Sequence, residues 1–242
     1  MTEAEQLGLT EGEAFRFVLP RRALRGGAGA QLGLKAGESL EFQDYRDYTP
    51  GDDLRNLDWT VLARTDREVI RVRREEIAPV IEIFRDRSAS MTVPPTKTDA
   101  ADYLFGFITA AAPTCRVLER DEPKTPQAVR IVLSDLLTDE DPDRRLARLA
   151  HQAATVIVIR LLSDEERNPP RGGSVECHDS ETGEVRELKM DDDTVNVYQE
   201  ALKSHTERWE SAVRRIGGTF CDLKPDVTTL IRSLCETELL VT

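Results

Sequence analysis

Apolar and polar positions change their rhythm near residue 79. Pro79-Val80-Ile81-Glu82-Ile83-Phe84 is short, β-branched and mostly apolar, as expected of a strand buried in a parallel sheet, and it ends at Asp86. Thr96 or Thr98 is then placed to cap a helix in which Ala101, Leu104, Phe105, Ile108 and Ala112 keep the three-and-four spacing of one apolar face, with Pro113 as its stop. Val129-Arg130-Ile131-Val132-Leu133 is a second buried strand, closing on Ser134-Asp135. Asp141-Pro142 begins another helix, because the aspartate accepts orphan amide bonds and proline fits the first turn. Thr155-Val156-Ile157-Val158-Ile159 makes a third strand. This alternation predicts an α/β fold: a mostly parallel, Rossmann-like sheet flanked by helices and joined by right-handed crossovers.

Further along, residues 174–189 hold two short β-like runs around Asp179-Ser180-Glu181-Thr182-Gly183-Glu184, a hairpin inserted at one sheet edge. Thr194 reads as the cap of a long helix that buries Val195, Tyr198, Leu202, Trp209 and Ile216 and ends at Gly217-Gly218. Thr219-Phe220-Cys221 and a helix from Asp226 add one more strand-helix unit. Upstream the pattern is irregular. Residues 1–13 are acid-rich and read as a flexible tail, and residues 14–78 as a small β and loop subdomain bent at Gly26-Gly27-Ala28-Gly29 and turned at Pro50-Gly51-Asp52-Asp53, with Trp59 as its core anchor. Residues 79–242 form the main domain.

With 242 residues and 39% hydrophobic side chains, the chain is long enough to bury a normal core. Its formal charge of −12, from 45 acidic and 33 basic residues, argues against nucleic acid as a partner. No apolar run reaches the roughly 18 residues of a membrane span, and the acidic start lacks a signal-peptide core, so a cytoplasmic protein is expected. Cys115, Cys177, Cys221 and Cys235 include no CxxC pair and read as small core residues; His151, His178 and His205 lack ligand spacing. The basic runs Arg21-Arg22 with Arg25, and Arg71 with Arg73-Arg74, read as solvated faces.

Candidate chemistry gathers at two strand ends. Ligands of an open parallel sheet bind beyond the carboxyl ends of its strands. Asp86, Ser88 and Ser90 after the first strand supply a carboxylate and two hydroxyls, hard oxygen donors suited to Mg²⁺ or Mn²⁺, and Asp135 ends the neighbouring run. Alone, such a string is better explained by a helix cap. Asp86-Arg87-Ser88-Ala89-Ser90-Met91 nevertheless resembles the first motif of the metal-ion-dependent adhesion site of von Willebrand factor A domains, and Asp135 matches that site's later aspartate. The run Glu41-Phe42-Gln43-Asp44-Tyr45-Arg46-Asp47-Tyr48-Thr49-Pro50-Gly51-Asp52-Asp53-Leu54-Arg55-Asn56-Leu57-Asp58-Trp59, continuing to Ala63-Arg64, resembles the signature of bacterial domain-of-unknown-function family 58.

The resemblance spans residues 31–233. It implies direct coordination by Ser88 and Ser90, coordination by Asp86 and Asp135 through water, and one position left for a partner's carboxylate. It also implies a docking or adaptor protein, not an enzyme, that works with a MoxR-type AAA+ ATPase in maturation of other proteins. Arg87, Arg46, Asp53, Arg55 and Asp58 are candidate partner-binding residues, although charges so closely interleaved also hold loops together.

The chain departs from the pattern in two places. Residues 114–128 are too few for the two strands and helix the resemblance implies, and that piece carries the site's threonine ligand, for which Thr125 is the available substitute. Arg85 stands where an apolar residue is expected and is placed to pair with a carboxylate. Two other functions stay open: Mg²⁺-dependent phosphotransfer with Asp86 as nucleophile, and a metal-free scaffold.

Overall fold

A computed structural model describes residues 1–17, 40–53, 55, 57–75, 80–112, 114–118, 122–236 and 240–241. The Gly26 bend, Arg21, Arg22, Arg25 and Pro113 lie outside the described residues, as do the side chains of Arg46, Arg71, Arg73 and Arg74. The elements run α1 (Glu3–Gly12), β1 (Arg16–Phe17), β2 (Leu40–Asp47), α2 (Trp59–Thr65), β3 (Val69–Glu75), β4 (Val80–Arg85), α3 (Pro95–Ala111), β5 (Thr114–Leu118) and β6 (Val129–Ser134). They continue with α4 (Pro142–Ala150), β7 (Thr155–Leu161), α5 (Asp164–Arg167), β8 (Ser174–His178), β9 (Val185–Lys189), α6 (Asp192–Arg215), β10 (Thr219–Leu223), α7 (Val227–Cys235) and β11 (Leu240–Val241). Two compact units result: Met1–Ala28 with Pro79–Thr242, and Gly29–Ala78.

In the larger unit a five-stranded sheet has the order β10-β7-β6-β4-β5, and every neighbouring pair is parallel. Numbered by sequence within the sheet, the order is 2-1-3-4-5, so the winding direction reverses between β4 and β6. The expected α/β fold is therefore present, and the three runs read as strands are β4, β6 and β7. Alternation sets the layers. Ile131 and Leu133 of β6 join Ile81, Ile83, Ile157 and Ile159 under Leu104, Phe107 and Ile108 of α3 and Leu230 of α7. Val132, Val156 and Val158 face the other way, onto Leu146 and Leu149 of α4 and Trp209, Ala212 and Val213 of α6. Each such side chain contributes about 1.5–3 kcal/mol by leaving water.

Two ion-pair groups cross-link this sheet. Arg130 of β6 donates through Nε to Glu82 of β4 at 3.1 Å, and Glu82 also accepts from the backbone amides of Lys124 and Thr125. At the other edge, Arg160 of β7 and Arg167 of α5 both grip Asp222 of β10, each through two nitrogens. Burial pushes the Asp222 carboxyl upward, but the hydrogen bonds and charges of Arg167 and Arg160 outweigh it, so the group sits below its ordinary value. The unfolded chain thus takes up this proton at higher pH than the folded one. Stability contributed here is complete above roughly pH 4 and falls as acid protonates the folded carboxyl. Chemical denaturation from pH 6 downward should show a flatter loss in Asp222→Asn than in the wild type.

The smaller unit pairs β2 and β3 antiparallel, with an irregularity between Phe42 and Asp44. Asp58 is 2% exposed and caps α2 by accepting from Thr60 and Val61, which fixes it as a structural residue. Asp52 accepts from the amide and hydroxyl of Thr49, and Asp53 from the amide of Arg55, so the turn is held by its own side chains. Trp59 is not the core anchor expected: it opens α2 at 62% exposure, while Leu57, Val69 and Ile70 are buried.

Several other readings need correction. The acid-rich start is not a tail but helix α1, capped by Thr2 and laid along α3. Its apolar stripe is weak because close backbone contact replaces side-chain burial: Gly8 and Gly12 lie on α3, and Gly106 lies under α1. β1 pairs with β11, so Arg16 and Phe17 belong to the main unit. α3 starts at Pro95 without a side-chain cap, and Thr98 instead donates to the Met91 carbonyl. Asp191, not Thr194, caps α6. β8 and β9 form the expected hairpin, but as a sheet of their own. Among the described residues of segment 114–128 there is one strand, β5, in keeping with a stretch too short for two strands and a helix. Among the cysteines, Cys221 is buried and Cys115 partly so, whereas Cys177 and Cys235 are exposed.

Candidate functional site

The strand order reverses between β4 and β6, the point where ligands of such sheets bind, and both candidate loops leave from the carboxyl ends of these two strands. Asp86 follows β4 directly and its amide still donates to the Leu133 carbonyl of β6, at 2.9 Å. Its carboxylate organises the turn. Oδ1 accepts from the Ser88 amide at 2.9 Å, and Oδ2 accepts from the Ser134 hydroxyl at 2.5 Å. The hydroxyls of Ser88 and Ser90 lie 3.0 Å apart, and a 3-10 turn over Ala89–Thr92 buries Met91 beneath them. Asp86, Ser88 and Ser90 therefore form one compact loop, as their spacing predicts.

Asp135 stands on the adjacent loop and is buried. Its Oδ1 accepts from the Leu137 amide at 3.1 Å, and its Oδ2 faces the Lys97 ammonium at 2.7 Å. Lys97, in the first turn of α3, is 0% exposed and also donates to Glu166 at 2.7 Å. Glu166 is fixed in turn by a reciprocal cap with Ser163. A cation at a helix N-terminus opposes the helix dipole, so this one depends on its two carboxylates. The sequence carried one signal of Lys97: a lysine in the turn of α3 next to its apolar face.

A second contact arrives from the hairpin. Glu181, at the β8–β9 tip, accepts from the Ser90 amide at 3.0 Å, and its own amide donates to Asp179. Nothing local in the sequence joins Glu181 to Ser90, 91 residues away. Ser134 was likewise visible only as a strand end.

The remaining candidates separate. Arg87 is exposed on the loop; Val93, later on the same segment, and Leu137, on the segment after β6, are exposed as well. Arg85 pairs with Asp102 of α3, which also accepts from Thr2, so it serves the α1–α3 contact and not the site's own carboxylates. Thr125 lies with Glu82 and Arg130, at the opposite end of β4 from Asp86, and is no substitute ligand. Asp53, Arg55 and Asp58 belong to the Gly29–Ala78 unit.

Among the described residues no three His, Cys, Asp or Glu side chains gather as a ligand set. A divalent ion would rest on Asp86, the two serines and Asp135, and Oδ2 of Asp135 is held by a buried ammonium. Both oxygens of Asp86 and both of Asp135 are already engaged by protein donors, so the set as it stands does not fit a hard divalent ion such as Mg²⁺. Among the described residues no helix is long and apolar enough to cross a membrane.

Three uncharacterized mycobacterial proteins are similar to this chain. Rv1480 and MT1527 of two Mycobacterium tuberculosis strains and Mb1516 of Mycobacterium bovis are each 25% identical over 250 residues, covering 82% of this chain and 78% of theirs. A crystal structure of the conserved hypothetical protein BatB from Bacteroides thetaiotaomicron aligns with a TM-score of 0.31 and 8% identity, covering 66% of this chain and 98% of that one. The family model described as protein of unknown function DUF58 matches residues 44–115 and 114–208, and the chain belongs to that family.

Proposed function

We propose that this protein is a non-enzymatic docking module of von Willebrand factor A type, which engages a protein partner through the loop from Asp86 to Ser90. The observation that carries the reading is a rigid loop at the sheet's reversal point, held by Asp86 and the two serines, with Arg87 exposed on it. Val93 and Leu137, 59% and 41% exposed on the segments that follow Asp86 and Asp135, add apolar surface that a partner could bury. The resemblance to the adhesion-site motif supports the same loop. A MoxR-type AAA+ ATPase is the proposed partner, on the strength of the family resemblance.

A phosphotransfer role finds less support. A nucleophilic aspartate needs an oxygen directed at substrate, and both oxygens of Asp86 accept hydrogen bonds within the protein. A phosphoester panel tests this alternative, with turnover abolished in Asp86→Asn as the result that would favour it.

Glu181 makes the docking reading sharper. Its carboxylate takes the Ser90 amide, a donor that a partner's acidic group would otherwise use. Glu181→Gln should therefore raise partner affinity, by about two- to tenfold, since replacing the charged acceptor with a neutral amide weakens the bond by roughly 1 kcal/mol. Calorimetry with the purified MoxR-type ATPase measures it. Equal affinity in variant and wild type would place Glu181 outside the docking surface.

A further inference from the structure

We infer that the buried ammonium of Lys97, and not a divalent metal, is the cation that Asp135 pairs with at this site. Three observations converge. Lys97 has no exposed surface, lies 2.7 Å from Asp135 and 2.7 Å from Glu166, and enters from the helix that directly follows the Asp86 loop. Asp135 has its other oxygen bound to the Leu137 amide. A fixed buried ammonium repels a second cation through a medium that screens poorly, and it already supplies the countercharge that Asp135 requires.

The rest of the loop agrees. Asp86 is stabilised by the Ser134 hydroxyl and the Ser88 amide, and the Ser88 and Ser90 hydroxyls share a hydrogen bond, so the protein's own groups hold the loop in shape. Lys97 is thus a positioning residue. It fixes the Asp135 loop, and through Glu166 it ties that loop to the N-terminus of α5. The inference rests on the docking reading for its consequence: partner binding persists in chelator.

Removing Lys97 alone would leave two uncompensated carboxylates and endanger folding. The paired change Lys97→Met with Glu166→Gln removes one charge of each sign and leaves Asp135 free to ligate. Manganese binding to the full chain, read by electron paramagnetic resonance of free Mn²⁺, needs no partner. The wild type should show no Mn²⁺ binding that Asp86→Ala abolishes. The paired variant should gain Mn²⁺ affinity at least about tenfold, and lose that gain when Asp86→Ala is added. Asp86-dependent Mn²⁺ binding by the wild type overturns the inference, and so does a folded paired variant that gains none. Failure of the partner to bind in either buffer would count against docking while leaving the manganese result readable.

Discussion

Gly106→Ala is expected to destabilise the protein by about 3 kcal/mol, because overpacking a close contact forces backbone to move. A Cβ at Gly106 would lie 2.2 Å from the Glu5 carbonyl oxygen, and one at Gly8 would lie 2.1 Å from that of Tyr103. Neither neighbour is the end of a flexible side chain. α1 and α3 must therefore separate, and with them go two further bonds: Thr2 to Asp102 at 2.7 Å and Tyr103 to Glu11 at 2.5 Å. Burial and the adjacent Glu11 hold the Tyr103 hydroxyl well above its ordinary value, so it remains a donor at any pH near neutrality. Thermal unfolding should begin roughly 6–12 °C lower than in the wild type. Gln6→Ala, on the exposed side of α1, serves as the control and should change little.

Arg130→Met is expected to be still more damaging, by about 3–5 kcal/mol, since it strands the fully buried Glu82 without its cation. The guanidinium also donates to the carbonyls of Leu149, His151 and Thr125, and thereby fastens the end of α4 to the start of β6. Denaturant titration of the single and paired changes separates charge from packing. Arg130→Met with Glu82→Met should be less destabilising than the sum of the two singles, because the stranded charge is gone. Additive losses would mean the pair is not coupled.

The central sheet was legible in the sequence because its strands are buried on both faces and therefore appear as continuous β-branched runs. Asp86, Ser88 and Ser90 were legible for a related reason: a short polar string directly after such a run must turn at the sheet's carboxyl edge. Helix α1 was not, since its packing relies on Gly8, Gly12 and Gly106, whose contribution is the absence of a side chain. Trp59 misled because aromatic size alone does not say which side of a short helix it occupies. The ionic partners Lys97 and Glu166, and Glu181 over Ser90, are brought together from distant segments, and local pattern carries no information about such meetings. β5 was hidden by its position at the sheet edge, where Val117 is exposed and the apolar run is broken by Arg116.

Docking through the Asp86 loop is tested most directly at Arg87, which is exposed and can be reversed in charge with little effect on the loop. The measurement is the affinity of the purified MoxR-type ATPase for the wild type and for Arg87→Glu, taken in chelator and at fixed salt, with circular dichroism confirming equal folding. The account predicts a measurable complex with the wild type and a loss of about tenfold or more in the variant. Equal affinity for both proteins, or no complex with either, would contradict it.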